Sequence, residues 1–279
     1  MSHPGITITI FGFPTQNEEI RMNKAVEQSA TRPAQISPEE WETRVNLAAC
    51  YRLVHHYGWT DMIYTHISAR VPGKDEHFLI NPLGYMFDEV CASNLVKIDL
   101  EGNNVDAVNK TTPINRAGFV IHSAVHAARH DVQCVIHTHT PAGMAISMLK
   151  CGLQPLSQHA QFFHGAVGYH GYEGIALDTD ERQRLVKDLG DKPVMILYNH
   201  GLLATGETIG AAFSWMFHLE KACQAQLLAM GTGQELVMPP EEVSAKTRQQ
   251  ASGNTTSLTR AEWPALLRMV ERIDPSYKQ

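Results

Sequence analysis

The sequence predicts an α/β protein with a mixed sheet and helices on both of its faces. Two observations predict it. Segments with helical spacing of apolar residues alternate along the chain with short β-branched runs. Several of those runs follow one another as meanders, which separates the pattern from a purely parallel, doubly wound sheet. A third observation narrows the function: no Gly-x-Gly-x-x-Gly or Walker loop follows a strand, so nucleotide binding has no support.

The 279 residues fit one large domain with extensions. A composition of 43% hydrophobic and 19% charged residues is that of a globular chain able to bury a sizeable core. The formal charge is −6 and no dense Lys/Arg cluster occurs, so neither nucleic acid nor an anionic membrane surface is an expected partner. No secretory signal is expected at the start, where Pro4, Gly5, Gly12 and Pro14 interrupt any apolar run. No stretch approaches the roughly 18 apolar residues of a membrane span. The five cysteines are odd in number and form no Cys-x-x-Cys pair, which points to a reduced, cytoplasmic setting.

In chain order, residues 1–36 read as a polar arm, 37–231 as the folded domain and 232–279 as an extension. Ser37, Pro38 and Glu40 form the start of a helix over Glu39–Tyr57, with a complete capping box expected and Gly58 as its stop. Ile63–Arg70 and His77–Ile80 read as strands around the turn Pro72-Gly73-Lys74-Asp75, and Leu95–Leu100 as a third. A helix is expected over 115–130, capped by Asn115, then a β-branched strand Val132–His139 and a helix Ala142–Lys150 behind Pro141. Short strands are expected near Val167 and Ile175, a helix over Glu181–Leu189 and a buried strand over Val194–Asn199. Thr208 caps a long helix to Met230. Residues 232–258 read as polar and irregular, and Thr259 with Glu262 as the start of a last helix carrying Trp263, Leu266, Leu267 and Val270. That helix packs either in an oligomer or on its own chain.

The chemistry concentrates in histidines, fifteen in all. In Val135-Ile136-His137-Thr138-His139 the two histidines stand at i and i+2 of a strand and so project to one face. Imidazole nitrogens so placed can bind Zn²⁺ or a similar ion. The other reading is a hydrogen-bonded pair near a strand end. In Tyr198-Asn199-His200-Gly201, His200 ends an apolar strand at a turn, which can aim it at the same point. Three histidines with open positions are the pattern of a catalytic rather than a structural metal site. Three neutral ligands would leave Zn²⁺ its full charge for polarising a carbonyl or acidifying a water.

The run 115–126 (NRAGFVIHSAVH), the run Val132 to Gly143 (VQCVIHTHTPAG) and Asn199-His200-Gly201-Leu202 together resemble the class II aldolase/adducin family, the adducin head domain and its bacterial relatives above all. Lys150 to Ser157, Gly168 to Ile175 and Gly206-Glu207-Thr208 extend the resemblance, which runs from about Trp41 to about Met230. It implies a three-layer α/β/α sandwich with a central mixed, largely antiparallel sheet. It implies a divalent metal, Zn²⁺ above others, on His137, His139 and His200, usually with a carboxylate nearby. It also implies a homo-oligomer. Aldolases of the family divide the work: the metal stabilises an enediolate, while a carboxylate and a tyrosine from a neighbouring subunit move protons.

This chain departs from those catalysts at named positions. The family's acid, four residues before His122, is Gly118 here. Arg116 and Ala117 replace small hydroxyl residues, Leu83 replaces a threonine, and Thr65-His66 replaces a Gly-Asn pair, so a sugar phosphate is not the expected substrate. The family tyrosine falls at or next to His159, a candidate for proton transfer. The alternative for His159 is a surface loop histidine. His122 lies one helical turn after Gly118, as a further ligand, a partner to a ligand or a packed residue. Two functions stand first, with a silent metal protein retained for oligomer stability as a third. One is a metal-dependent, aldolase-like lyase or related enzyme acting on a small non-phosphorylated oxygenated substrate. The other is a non-catalytic, adducin-like binding or assembly protein, to which the lack of a polybasic tail before Gln279 runs counter.

Overall fold

A computed structural model describes residues 32–73, 76–174 and 179–279, leaving aside the side chains of 116–117, 179–180 and 252–260. Most of the expected arm, Lys74 and Asp75 of the expected turn, the strand near Ile175, and the side chains of Arg116 and Thr259 lie outside the described residues. Among the described residues seven strands form one sheet: β1 (His66–Arg70), β2 (Phe78–Ile80), β3 (Val96–Ile98), β4 (Cys134–Thr138), β5 (Val167–His170), β6 (Val194–Leu197) and β7 (Gly201–Gly206). Their order is β3-β2-β1-β4-β7-β6-β5. Every neighbouring pair is antiparallel except β5 and β6. The helices are α1 (Pro38–His56), α2 (Arg116–Ala128), α3 (Pro141–Ser147), α4 (Gln158–Gln161), α5 (Thr179–Leu189), α6 (Ile209–Gly231) and α7 (Glu241–Ile273).

Strand alternation builds the layers. Ile67 and Ala69 of β1, Cys134 and Ile136 of β4, Val194 and Ile196 of β6, and Leu202 and Ala204 of β7 share one core with α1, α3 and α6. Val135, Met195, Leu197 and Leu203 point the other way, into a second core with Phe119, Val120, Ile121 and Val125 of α2 and Leu185 and Leu189 of α5. The result is the expected α/β/α sandwich with a mixed, largely antiparallel sheet. His137 shares the parity of Val135 and therefore lies on the α2 side.

Local chemistry explains most element boundaries. Ser37 Oγ accepts the Glu40 amide at 3.1 Å and caps α1, while the Glu40 carboxylate pairs with Arg44 instead of completing the capping box. Thr140 and Thr208 cap α3 and α6 in the same way. Two elements differ from expectation. Residues 201–206, not anticipated as a strand, form β7 inside the sheet, between β4 and β6. Glycines bound this strand, and its pairing with both β4 and β6 supplies what local propensity does not. The expected irregular stretch and terminal helix are largely one helix, α7, which starts behind Pro240 and contains Pro264. Its polar composition hides the helical period in the sequence, and packing onto α6 and α1 makes up the difference. Trp263 stacks close over Gly210, where a Cβ would lie 2.8 Å from the Trp263 Cβ, and its indole donates to Asn46 Oδ1 at 2.8 Å. In this chain the extension therefore packs on its own domain. No helix among the described residues is long and apolar enough to cross a membrane.

Arg44, fully buried, joins α1 to the sheet edge. It donates to Glu40 Oε1 at 2.9 Å and to the Leu95 carbonyl at 2.7 Å, and it pairs with the buried Asp106 carboxylate. Lys97 Nζ reaches the second Glu40 oxygen at 2.8 Å. Burial acts to raise the pKa of Asp106, but hydrogen bonds from Asn109 and the Arg44 guanidinium outweigh it, and the carboxyl is held below its ordinary range. Arg44→Ala leaves that carboxylate buried without its counter-charge, so we expect a loss of about 3–5 kcal/mol in urea unfolding.

Helix α2 places His122 and His126 against β1. The Ser68 hydroxyl lies 2.7 Å from His122 Nδ1 and 2.8 Å from His126 Nε2, and the His126 ring stacks on Phe78 at 4.4 Å. Burial, aided by Arg70, pushes the pKa of His126 from 6.5 to about 3. Between those values the unfolded chain binds a proton that the folded chain refuses. The stabilisation is thus complete above the unfolded value and declines as pH falls towards the folded one. Urea midpoints measured downward from neutral pH should fall. His126→Asn should make the dependence shallower by about one proton, or about 1.4 kcal/mol per pH unit.

Candidate metal centre

β4 carries His137 at its end, and His139 follows one residue beyond it. The β6–β7 hairpin supplies His200 from its turn. That turn is tight: Asn199 takes a φ of 56°, and the His200 amide donates back to the Leu197 carbonyl at 3.1 Å. Because β7 lies directly beside β4, with His137 opposite Leu203, the turn brings His200 to the end of β4. Gly201 is needed there, since a Cβ would stand 2.4 Å from the Thr138 carbonyl.

The three rings converge. Ring centroids of His137, His139 and His200 lie 4.7–4.8 Å apart. His139 Nε2 is 2.9 Å from His137 Nε2 and 3.0 Å from His200 Nε2. The opposite faces of two rings are already engaged. His137 Nδ1 donates to the Leu202 carbonyl at 2.9 Å, and His139 Nδ1 lies 2.8 Å from Asp61 Oδ2. A carbonyl only accepts, so the proton of neutral His137 sits on Nδ1 and its Nε2 offers a lone pair. Asp61 imposes the same tautomer on His139.

Burial first, and then the neighbouring histidines, push the pKa of His137 well down. Burial and His139 bring that of His200 to about 4. Neutral rings aimed lone pair to lone pair repel one another unless a proton or a cation lies between them. The donor set suits a divalent cation of the Zn²⁺ type, with Zn–N bonds of about 2.0–2.1 Å, open positions left over, and outer nitrogens anchored by a carbonyl and a carboxylate.

His137, His139 and His200 thus come together as the sequence suggests, and among the described residues they form the one group of three or more ligand-type side chains close enough to share an ion. His122 is buried at 2% exposure, bound through Nδ1 to Ser68, with its ring 4.5 Å from that of His66. His66, the cross-strand partner of His137, has its ring 5.5 Å from the His137 ring. His159 is outside the triad, stacked on His218 at 5.2 Å and near Phe162 at 6.0 Å. Tyr172 is exposed, with its ring 6.3 Å from that of His200, and Glu173 pairs with Arg184. The buried Glu220 carboxylate accepts from Thr140 Oγ1 at 2.5 Å and from Gln224 at 2.9 Å.

Sequence reasoning missed two residues. Asp61 sits in a loop with no periodic or motif signal and meets His139 across 78 positions of chain. His66 stood out only as a departure from the family's Gly-Asn pair, not as a neighbour of the triad.

The family model described as the class II aldolase and adducin N-terminal domain matches residues 45–227. A crystal structure of an aldolase II superfamily protein from Pseudomonas syringae is 55% identical, with a TM-score of 0.85, covering 88% of this chain and 98% of that one. L-fuculose 1-phosphate aldolase from Glaciozyma antarctica PI12 is 27% identical, with a TM-score of 0.77, covering 92% of this chain and 99% of that one. Alpha-adducin of Rattus norvegicus is 42% identical over 243 residues, which are 82% of this chain and 33% of the adducin; this chain spans about a third of that relative's length. On the family match and these identities, the chain belongs to the class II aldolase and adducin N-terminal domain family.

Proposed function

We propose that the protein is a divalent-metal-dependent enzyme of the aldehyde-lyase type, or a close relative of one, acting on a small oxygenated substrate without a phosphate. The observation that carries this reading is the convergence of three Nε2 atoms, two of them on rings locked from behind by the Leu202 carbonyl and the Asp61 carboxylate. His137, His139 and His200 would hold the ion, with Zn²⁺ the best match to three imidazoles. When bound, the ion would polarise a carbonyl or acidify a hydroxyl of the substrate.

The chain's own residues supply the rest. Asp61 orients His139 and fixes its tautomer. The Leu202 carbonyl does the same for His137. His122, buried near the triad, and His159, at the position of the family tyrosine, are our candidates for proton transfer; His159 would serve from a neighbouring subunit of a homo-oligomer. The changed positions Thr65, His66, Leu83, Arg116 and Ala117 support a substrate without a phosphate. The free thiols of Cys50, Cys91, Cys134, Cys151 and Cys223 support a cytoplasmic setting.

The likeness to alpha-adducin, together with glycine at position 118, favours a second reading: a binding or assembly protein without turnover. Metal analysis separates the two. The enzyme reading expects close to one divalent ion per purified chain, its loss in His137→Ala, and metal-dependent turnover of a hydroxy acid, keto acid or aldol. Metal-free wild-type protein that still assembles would sink it and favour the second. Asp61→Asn should keep the fold but weaken Zn²⁺ binding by about 10–100-fold in a competition titration with a chelator.

A further inference from the structure

Two of the positions at which this chain departs from the family's catalysts meet in space. Gly118 on α2 packs face to face with the His66 ring on β1. A Cβ on Gly118 would lie 2.5 Å from His66 Cε1 and 2.6 Å from each of its ring nitrogens. No side chain can stand at position 118 while His66 holds this place. The imidazole fills the space into which the family's acid would project, so the loss of the acid and the gain of the histidine are one change.

His66 is also placed and equipped to meet a ligand. It is 4% exposed, and neither ring nitrogen makes a well-formed hydrogen bond, the nearest backbone acceptor being that of Tyr64. His122 Nε2, on the adjoining ring, is likewise buried and unpartnered. An unpaired buried polar atom is costly, so poorly paired nitrogens on two touching rings call for a ligand more than for a finished core. They lie beside the triad, since the His66 ring is 5.5 Å from that of His137, its cross-strand partner. His66 is not in the group close enough to share an ion. It flanks that group, where the oxygen-bearing end of a substrate drawn to the ion would arrive. An imidazole in its neutral form has one N–H to donate and one lone pair to accept.

We propose that His66 is the substrate-binding residue that takes the place of the missing acid at position 118, donating and accepting hydrogen bonds at the hydroxyl or carbonyl oxygens of a polyoxygenated, uncharged substrate segment. This rests on the metal-site reading above. A neutral donor–acceptor ring matches a hydroxyl or carbonyl group, which can both receive and return a hydrogen bond. It offers nothing to balance a phosphate.

The test uses the full chain loaded with Co²⁺, whose visible spectrum reports the coordination sphere, and acetohydroxamate as a metal-directed probe with carbonyl, hydroxyl and N–H groups. His66→Phe keeps the ring's bulk and removes both nitrogens; His66→Gln restores a donor and an acceptor. We expect both variants to retain one Co²⁺ per chain with an unchanged spectrum. Acetohydroxamate affinity should fall by about tenfold in His66→Phe and largely recover in His66→Gln. Unchanged affinity in His66→Phe overturns the assignment. So does loss of Co²⁺ from that variant alone, which would make His66 a ligand. A wild-type chain that binds no Co²⁺ fails one step earlier and overturns the metal reading together with this one. A second measurement needs neither metal nor probe. Gly118→Ala should lower the melting temperature, and adding His66→Ala should restore most of the loss. Two losses that simply add would show that positions 66 and 118 do not compete for one space, and would overturn the assignment as well.

Discussion

The hydrogen bond from His137 Nδ1 to the Leu202 carbonyl governs the geometry of the histidine cluster. It ties a side chain of one strand to the backbone of the next, and in doing so chooses the tautomer. With Nδ1 committed, His137 can only offer its Nε2 lone pair to the space shared with His139 and His200. Asp61 makes the same choice for His139. Two of the three rings are therefore preorganised from behind, and what is left in front is a pocket of lone pairs. Burial reinforces the arrangement by keeping His137 and His200 neutral at physiological pH.

The sheet order makes that bond possible. β4 lies between β1 and β7, so its end receives side chains from three sources: its own His137 and His139, His66 from β1 and His200 from the β6–β7 turn. All stand on the face covered by α2, whose glycine at position 118 lets the helix approach. The opposite face is a conventional apolar core, capped by α1 and α6 and buttressed by α7. On the α2 face the odd-numbered Val135 of β4 packs into the second core, and His137, two residues on, faces the site.

The polar inventory on the α2 face is unusual in being built from neutral groups. His66, His122 and His126 are all buried and all pushed below their ordinary titration range, first of all by desolvation. Ser68 bridges two of them. Such a wall offers hydrogen bonds without a fixed charge of its own. An aldolase with a carboxylate at position 118 would place a negative charge on the same wall. The family fold is kept, and the electrostatic character of the region beside the triad is changed.

The α/β class, the first helix with its Ser37 cap, the strand holding His137 and the long helix after Thr208 were legible in the sequence, because each rests on interactions between residues close along the chain. So were the three histidines as a set, through strand parity, the turn at His200 and the ordered family motifs. β7 was not legible: its place inside the sheet comes from partners on both sides, not from its own short run between glycines. α7 was hidden for a similar reason, its polar stretch held helical by packing that Trp263 and Val270 anchor. Asp61 and His66 reach the site across 78 and 71 positions of chain, from a loop and a neighbouring strand. Which side chains could bind an ion, and how they are spaced along each element, follows from residue order alone. Which nitrogen each presents, and what stands beside it, follows from the assembled sheet, because tautomer, burial and steric exclusion depend on neighbours distant along the chain.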